Sequence, residues 1–288
     1  MERELWPTLY RHVRVIAQQV RQKYVQIQPW IIVATMLWAA LHDRPVAWAC
    51  DPRNWSTTGL KPMRIPSQGT MSRRADSVAT GVFWKQLEQH LRQSDPALLS
   101  FLDGKPLPIG GNSKDPDARY GRAAGGYAKG YKLHTLWTKS NLPDAWEVAS
   151  MNVSEKVVAR RLIGQARGGG YLLADGNYDA SYLYDDAFAK GYQLLAPFRK
   201  GKEPGSGGHY QSPHRLRSIE LLTHAFGQSV YRARSQIERD YGNATVFGGG
   251  LAPLPAWVRG QDRVRTWVWA KLLINAVRIL IHKDLRHP

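Results

Sequence analysis

Three acidic side chains stand at positions where they could do chemistry together. Asp103 follows the apolar run Ser100-Phe-Leu102 and precedes Gly104, and Asp175 follows Leu172-Leu-Ala174 and precedes Gly176. Each run reads as a strand leaving a sheet, which is where open α/β sheets place ligand groups. Glu238 closes the stretch Tyr231-Arg-Ala-Arg234-Ser-Gln-Ile-Glu238. At steps of three, four and seven, Tyr231, Arg234 and Glu238 share one face of a helix expected over 228–241. Carboxylates aimed at a common centre repel unless a divalent cation lies between them. Three of them suit two cations about 3.5–4 Å apart, which stabilise the attacking and leaving oxygens of in-line phosphoryl transfer. Carboxylate ligation without His or Cys selects Mg2+, with Mn2+ as a substitute. Arg234 would then fork onto a phosphate, while Tyr231 donates to or stacks on the same strand. Each residue alone also has a plainer reading. Asp-Gly fits an ordinary turn, Arg234 and Glu238 fit a solvated i,i+4 pair, and Glu220 is a rival third acid.

The elements that must hold these residues follow from periodicity and punctuation. Five short strands are expected at 98–102, 131–137, 145–148, 171–174 and 192–196. Helices are expected at 154–167, 180–190, 215–226 and 228–241, and an amphipathic one at 262–283 packs on the core. Three consecutive strands imply an antiparallel meander, and the later alternation implies parallel crossovers. The fold class is therefore α/β with a mixed sheet over residues 96–288, preceded by an all-α domain over 1–95. In that first domain helices are expected over 4–26 and 29–42, with a short one from Pro45 to Cys50. A further helix, 67–78, is capped by Ser67 and carries Arg73 and Arg74. The last two form a helix-turn-helix-like pair, with the second helix as reader of a DNA groove.

Charge narrows the partner. The 288 residues hold 40 Lys and Arg against 23 Asp and Glu, a net +17 that calls for a polyanion. The excess lies on both halves, with thirteen Lys/Arg against seven Asp/Glu in residues 1–95. Apolar residues at 43% exclude general disorder. The longest apolar run, Trp30 to Leu41, is twelve residues and too short to span a bilayer. The lone Cys50 fits a reducing compartment, so a soluble, cytoplasmic protein with no membrane partner is expected. Two Gly-containing basic loops, Lys114–Lys132 and Arg199–Arg217, are candidates to track a DNA backbone, with Arg119, Arg122 and Lys132 named as phosphate contacts. The tryptophans at 30, 38, 48, 55, 267 and 269 read as core rather than as base-stacking platforms.

Four stretches carry a family likeness: Phe101-Leu-Asp103-Gly-Lys-Pro-Leu-Pro108, Gly130-Tyr-Lys-Leu-His134, Leu173-Ala-Asp175-Gly-Asn-Tyr-Asp179 and Tyr231-x-x-Arg234-x-x-x-Glu238. They resemble bacterial insertion-sequence transposases of the DDE superfamily, in particular the insertion-sequence four and five groups. The resemblance covers residues 97–284. It implies an RNase H-like catalytic domain with Asp103, Asp175 and Glu238 as the catalytic, metal-binding triad and two Mg2+ ions. It further implies cleavage at element ends and strand transfer into target DNA. The partners would be double-stranded terminal inverted repeats and target DNA, bound by a homodimer on paired ends, in the nucleoid of a bacterial cell. One position departs from the pattern. Thr245 stands where the four-group signature has the Lys associated with hairpin-type end processing, so the cleavage intermediate stays open, and the short connection from the last strand to the Glu helix favours the compact five-like arrangement. Two other classes remain: an RNase H-like nuclease without strand transfer, and a DNA-binding protein that has lost catalysis.

Overall fold

In the computed structural model, which describes residues 2–20, 22–23, 25–93, 97–123, 125–198, 211–247, 249–251 and 253–284, the chain divides by its internal contacts into two units. The first comprises residues 1–93, 244–258 and 266–288, and the second residues 94–243 and 259–265. The C-terminal segment from Thr266 therefore groups with the N-terminal helices.

The first unit is helical. Helix α1 (Glu2–Gln19) buries Leu5, Leu9, Val13 and Ile16 along one face. It stops seven residues short of the expected end because Gln28 captures the following backbone. Gln22 N–H donates to Gln28 Oε1 (2.9 Å), and Gln28 Nε2 donates to the carbonyls of Gln22 (2.8 Å) and Val25 (2.6 Å). A side chain that satisfies the backbone in this way competes with helical bonds. Helix α2 (Pro29–Leu41) is apolar all round and buries ten of its residues, so the long apolar run is a core helix. The rings of Trp38 and Trp55 stack on each other with centroids 4.9 Å apart, and Trp6 packs on both. Lys271, fully buried in the same unit, donates to Ala40 O, Asp43 Oδ1 and Gly249 O.

The pair expected to form a helix-turn-helix is not joined by a short turn. Helix α3 (Val46–Ala49) is a single turn, and residues 50–67 lie between it and α4 (Gln68–Arg74). Ser67 does cap α4, accepting from Thr70 N–H at 3.3 Å. The expected helix 67–78 ends at Arg74 because Ser77 caps a new one, α5 (Val78–Leu91), after three residues. The short connection is thus between α4 and α5.

The second unit is built on one mixed sheet of six strands. They are β1 (Leu99–Pro108), β2 (Arg119–Ala123), β3 (Gly126–Trp137), β4 (Ala145–Ser150), β5 (Gly170–Leu173) and β6 (Tyr192–Leu195). The order is β2-β3-β1-β5-β6, with β4 also paired to β3. Strands β1 to β4 are antiparallel where they pair, whereas β5 runs parallel to β1 and to β6. This is the α/β mixed sheet of an RNase H-like domain, with the expected meander and crossovers. Helices α6 (Glu155–Gln165) and α7 (Ser181–Ala189) bury Val158, Leu162, Ile163, Leu183 and Ala187 against one face, where Leu102, Leu136, Leu172 and Leu194 complete the core. Strand β2 escapes sequence reading because Arg-Tyr-Gly-Arg-Ala has no apolar alternation. Its Gly121 is required by close approach, since a Cβ there would lie 2.1 Å from Met151 O.

The chain then runs through α8 (Pro213–Thr223), α9 (Ala225–Arg232), α10 (Ser235–Thr245) and α11 (Gln261–Asp284). Among the described residues no helix is long and apolar enough to cross a membrane.

Candidate active site

Asp103 lies in the middle of a strand, not at its end. Strand β1 continues to Pro108 because β3 pairs with it throughout, Asp103 opposite Thr135. Its parallel neighbour β5 stops earlier, with Phe101 opposite Leu173 as the last paired row. Asp175 follows two residues later, in extended backbone, and its carboxylate caps the turn Gly176–Tyr178 by accepting from Asn177 N–H at 2.8 Å and Asn177 Nδ2 at 3.2 Å. Side chains alternate across a strand with a period of two. Asp103 and Asp175 therefore project from the face carrying Phe101 and Leu173, the face opposite α6 and α7.

The Tyr-Arg-Glu stretch reaches the same place by a route the sequence did not suggest. The helix expected over 228–241 is broken. Tyr231 is in the last turn of α9, Arg234 is in the turn that follows, and Glu238 is in the first turn of α10. The break is a tightening of the backbone. Arg234 N–H donates to Tyr231 O, Gln236 N–H to Ala233 O, and Ile237 N–H to Arg234 O, each three residues back. Ser235 Oγ helps by occupying the Arg232 carbonyl. Arg234 nonetheless lies 3.3 Å from Glu238 (Nη1 to Oε1) and 3.7 Å from Asp103 (Nη2 to Oδ2). Tyr231 donates its hydroxyl to Ala174 O at 3.1 Å, tying the end of α9 to the backbone beside Asp175.

Charge accumulates around Asp103. Burial pushes its carboxyl up to about 6; the Gly104 N–H and Arg234 pull it down, and the charges of Asp175 and Glu155 push it up. Glu155 was not singled out by the sequence. It opens α6 and forms a 2.5 Å ion pair with Lys132. Tyr241 was also missed. Buried on α10, one turn after Glu238, it donates to Asp103 O at 3.2 Å and shares a 2.6 Å hydrogen bond with Thr135 Oγ1. Burial, with the Asp103 charge beside it, holds its hydroxyl well above the usual phenol range. An aromatic residue three positions past the Glu is the only sequence signal for it.

The remaining expected contacts are dispersed. Arg119 and Arg122 are exposed on β2, and Arg73 is exposed on α4. Arg74 donates to Ile27 O and Gln22 Oε1, within the helical unit. Lys132 is buried on Glu155, not open to a phosphate. Glu220, the rival acid, is exposed on α8. Asp179 of the Asp-Gly-Asn-Tyr-Asp stretch is buried in a bidentate pair with Arg215, at 2.6 and 2.9 Å. In the second basic loop, residues 199–210 lie outside the described residues. His134 is 1% exposed, with neither ring nitrogen hydrogen-bonded, and burial lowers it to about 3, helped by Lys132 and Arg161.

Asp103 and Asp175 offer hard oxygen donors, and the negative charge around Asp103 is what a divalent cation would offset, so the donor chemistry fits such an ion. Among the described residues, however, no three acidic, His or Cys side chains gather closely enough to hold one. Glu238, 68% exposed, reaches Arg234 instead. Compared with known proteins, residues 95–274 match the family model described as the transposase DDE domain. No curated protein and no solved structure matches the chain.

Proposed function

The chain belongs to the transposase DDE-domain family, whose members act on DNA with divalent metal ions, and we propose that Asp103, Asp175 and Glu238 are its catalytic acids, cutting element ends and joining them to target DNA. The observation that carries this reading is the placement of Asp103 and Asp175 on one face of the sheet, with Arg234 between Asp103 and Glu238. The three carboxylates would hold two Mg2+ ions, which when bound supply a polarised phosphate and an activated water or 3′-hydroxyl. The protein's own residues position the DNA. Arg234, 20% exposed, has the planar fork that matches two phosphate oxygens. Tyr231 fixes the turn that carries Arg234, and Tyr241 fixes the helix that carries Glu238. Cleavage breaks a P–O bond as water adds to phosphorus and the 3′-hydroxyl leaves. In joining, that 3′-hydroxyl adds to a target phosphate and displaces another 3′ oxygen, so one site serves both steps. Exposed Arg73, Arg119 and Arg122 would neutralise backbone phosphates, and two copies would act on paired ends.

The test is Asp175→Asn, assayed for Mg2+-dependent nicking and for joined product, with DNA binding measured alongside. The variant should bind DNA and neither cut nor join. Persistent cutting would remove Asp175 from the site, and wild-type cutting without joined product would reduce the protein to a nuclease.

A further inference from the structure

The β2–β3 hairpin presents a face that the acidic site does not use. In its register Tyr120 stands opposite Lys129 and Arg122 opposite Tyr127. Opposed residues, and residues two apart on one strand, share a face. Tyr120, Arg122, Tyr127 and Lys129 thus form a two-by-two array in which aromatic and cationic side chains sit on opposite diagonals. The array is open. Tyr120 is 59% and Tyr127 80% exposed, and Arg122 is exposed as well. Among the described residues Tyr120 Oη reaches only Gly111 O, at 3.5 Å, while Lys129 Nζ donates to Ser113 O. The reverse face is closed: Gly121 packs on Met151, and Met151 N–H donates to Gly130 O.

The nearby acids are engaged with partners outside the array. Asp115 is buried and accepts from Tyr131 Oη, Asp117 N–H and Gly260 N–H, and Asp117 accepts from Gln261 N–H. Nor does the hairpin suit strand addition by a second copy, because β2 is an edge strand bearing Arg119 and Arg122, and edge charges discourage such pairing.

Two exposed rings without an apolar groove point to a flat, π-faced ligand, and two cations beside them point to an anionic one. Residues on a hairpin diagonal lie roughly 7–8 Å apart. A single base stacked between two rings needs about twice the roughly 3.4 Å stacking distance of DNA, which is close to that spacing. We propose that this face grips an unpaired stretch of DNA, with one base held between Tyr120 and Tyr127 and the flanking phosphates on Arg122 and Lys129. Along β3 the same face continues to Thr135, the partner of Asp103. Six to eight residues at about 3.3 Å each put the array roughly 20–26 Å from Asp103. It is a second contact on the DNA and not part of the reacting centre.

This inference rests on the reading of the site as DNA-directed, and the experiment separates the two. Binding of the full chain to a labelled 30-nucleotide single strand and to the same sequence as a paired duplex is followed by fluorescence anisotropy. The paired variant Tyr120→Ala with Tyr127→Ala should weaken single-strand binding about tenfold or more, the scale of lost base–aromatic stacking, and duplex binding less than about threefold. Tyr120→Phe with Tyr127→Phe should restore single-strand binding, since Phe keeps the ring. Equal losses on both probes, or no loss on the single strand, overturns the proposal. So does a variant that loses self-association in sedimentation while binding DNA as before, because the face would then belong to a second copy. If the wild-type protein binds neither probe, the DNA-directed reading falls as well. If it binds both and the Ala variant changes nothing, only the hairpin proposal falls.

Discussion

Asp103 and Asp175 each stand two residues beyond Phe101 opposite Leu173, the last paired row of the parallel strands β1 and β5. The two side chains share a face because the strands end their pairing together while β1 runs on against β3, and the Asp175 charge helps push the Asp103 carboxyl up. Asp103→Asn and Asp175→Asn should each lower Mg2+-dependent cleavage by about 10²–10³-fold or more, the scale of removing a preorganised electrostatic group. A thermal-shift titration gives an independent readout. Mg2+ should raise the melting temperature of the wild-type protein and leave that of either variant in place. An unchanged Mg2+ response in both variants would show that the cation binds elsewhere.

Tyr241 anchors the helix that carries Glu238. Tyr241→Phe removes one hydroxyl and leaves the buried Thr135 hydroxyl without that bond, at a cost of about 1–2 kcal/mol in denaturant unfolding. Cleavage should fall with little change in DNA affinity, because the helix loses its hold on β1 and the positively charged surface is untouched. A variant with full activity would detach Tyr241 from the positioning of Glu238.

Lys132 and the two hairpin arginines should separate cleanly. Lys132→Met strands Glu155 without its partner and should destabilise the protein by roughly 3 kcal/mol. It should leave the salt dependence of DNA binding unchanged. Arg119→Ala with Arg122→Ala should do the reverse, reducing the slope of log affinity against log salt by nearly two with little loss of stability. A salt slope that falls on replacing Lys132 would contradict its burial.

His134 makes an acid-sensitive spot in the sheet. Its folded-state pKa is pushed down to about 3, against about 6.5 when unfolded, so between those values the unfolded chain binds more protons. Stability from this group is complete above about pH 6.5 and declines as pH falls toward 3. His134→Leu also removes two ring nitrogens that have no hydrogen-bond partner. It should flatten the pH dependence of unfolding over this window and cost little at pH 7. An unaltered acid limb would assign the sensitivity to the carboxylates instead.

How much of this was readable in advance depended on whether local signals agreed with tertiary ones. The strands bearing Asp103 and Asp175 announce themselves by apolar runs, and Ser67 announces α4. Arg-Tyr-Gly-Arg-Ala gives no such sign, because β2 is specified by its partner β3 and by the clearance at Gly121. Helix spacing placed Tyr231, Arg234 and Glu238 together, yet they converge across a break between α9 and α10. A three-residue hydrogen-bonding pattern leaves no periodic signature. Lys132 was misjudged because a Lys in a basic, Gly-containing segment looks exposed, and only β3 and α6 together reveal its partner Glu155.

Arg234 also sets a condition on how the site fills. A guanidinium turned toward Asp103 and Glu238 has fewer N–H groups left for a phosphate. If Asp103 and Glu238 hold a cation and Arg234 a phosphate, as proposed, DNA that draws Arg234 away would release both carboxylates for a cation, and a cation that takes the carboxylates would release Arg234 for DNA. By thermodynamic reciprocity each ligand then tightens the other by the same factor. The bare protein would hold its metal weakly and acquire full affinity only on its substrate, a built-in safeguard against cutting with nothing properly seated.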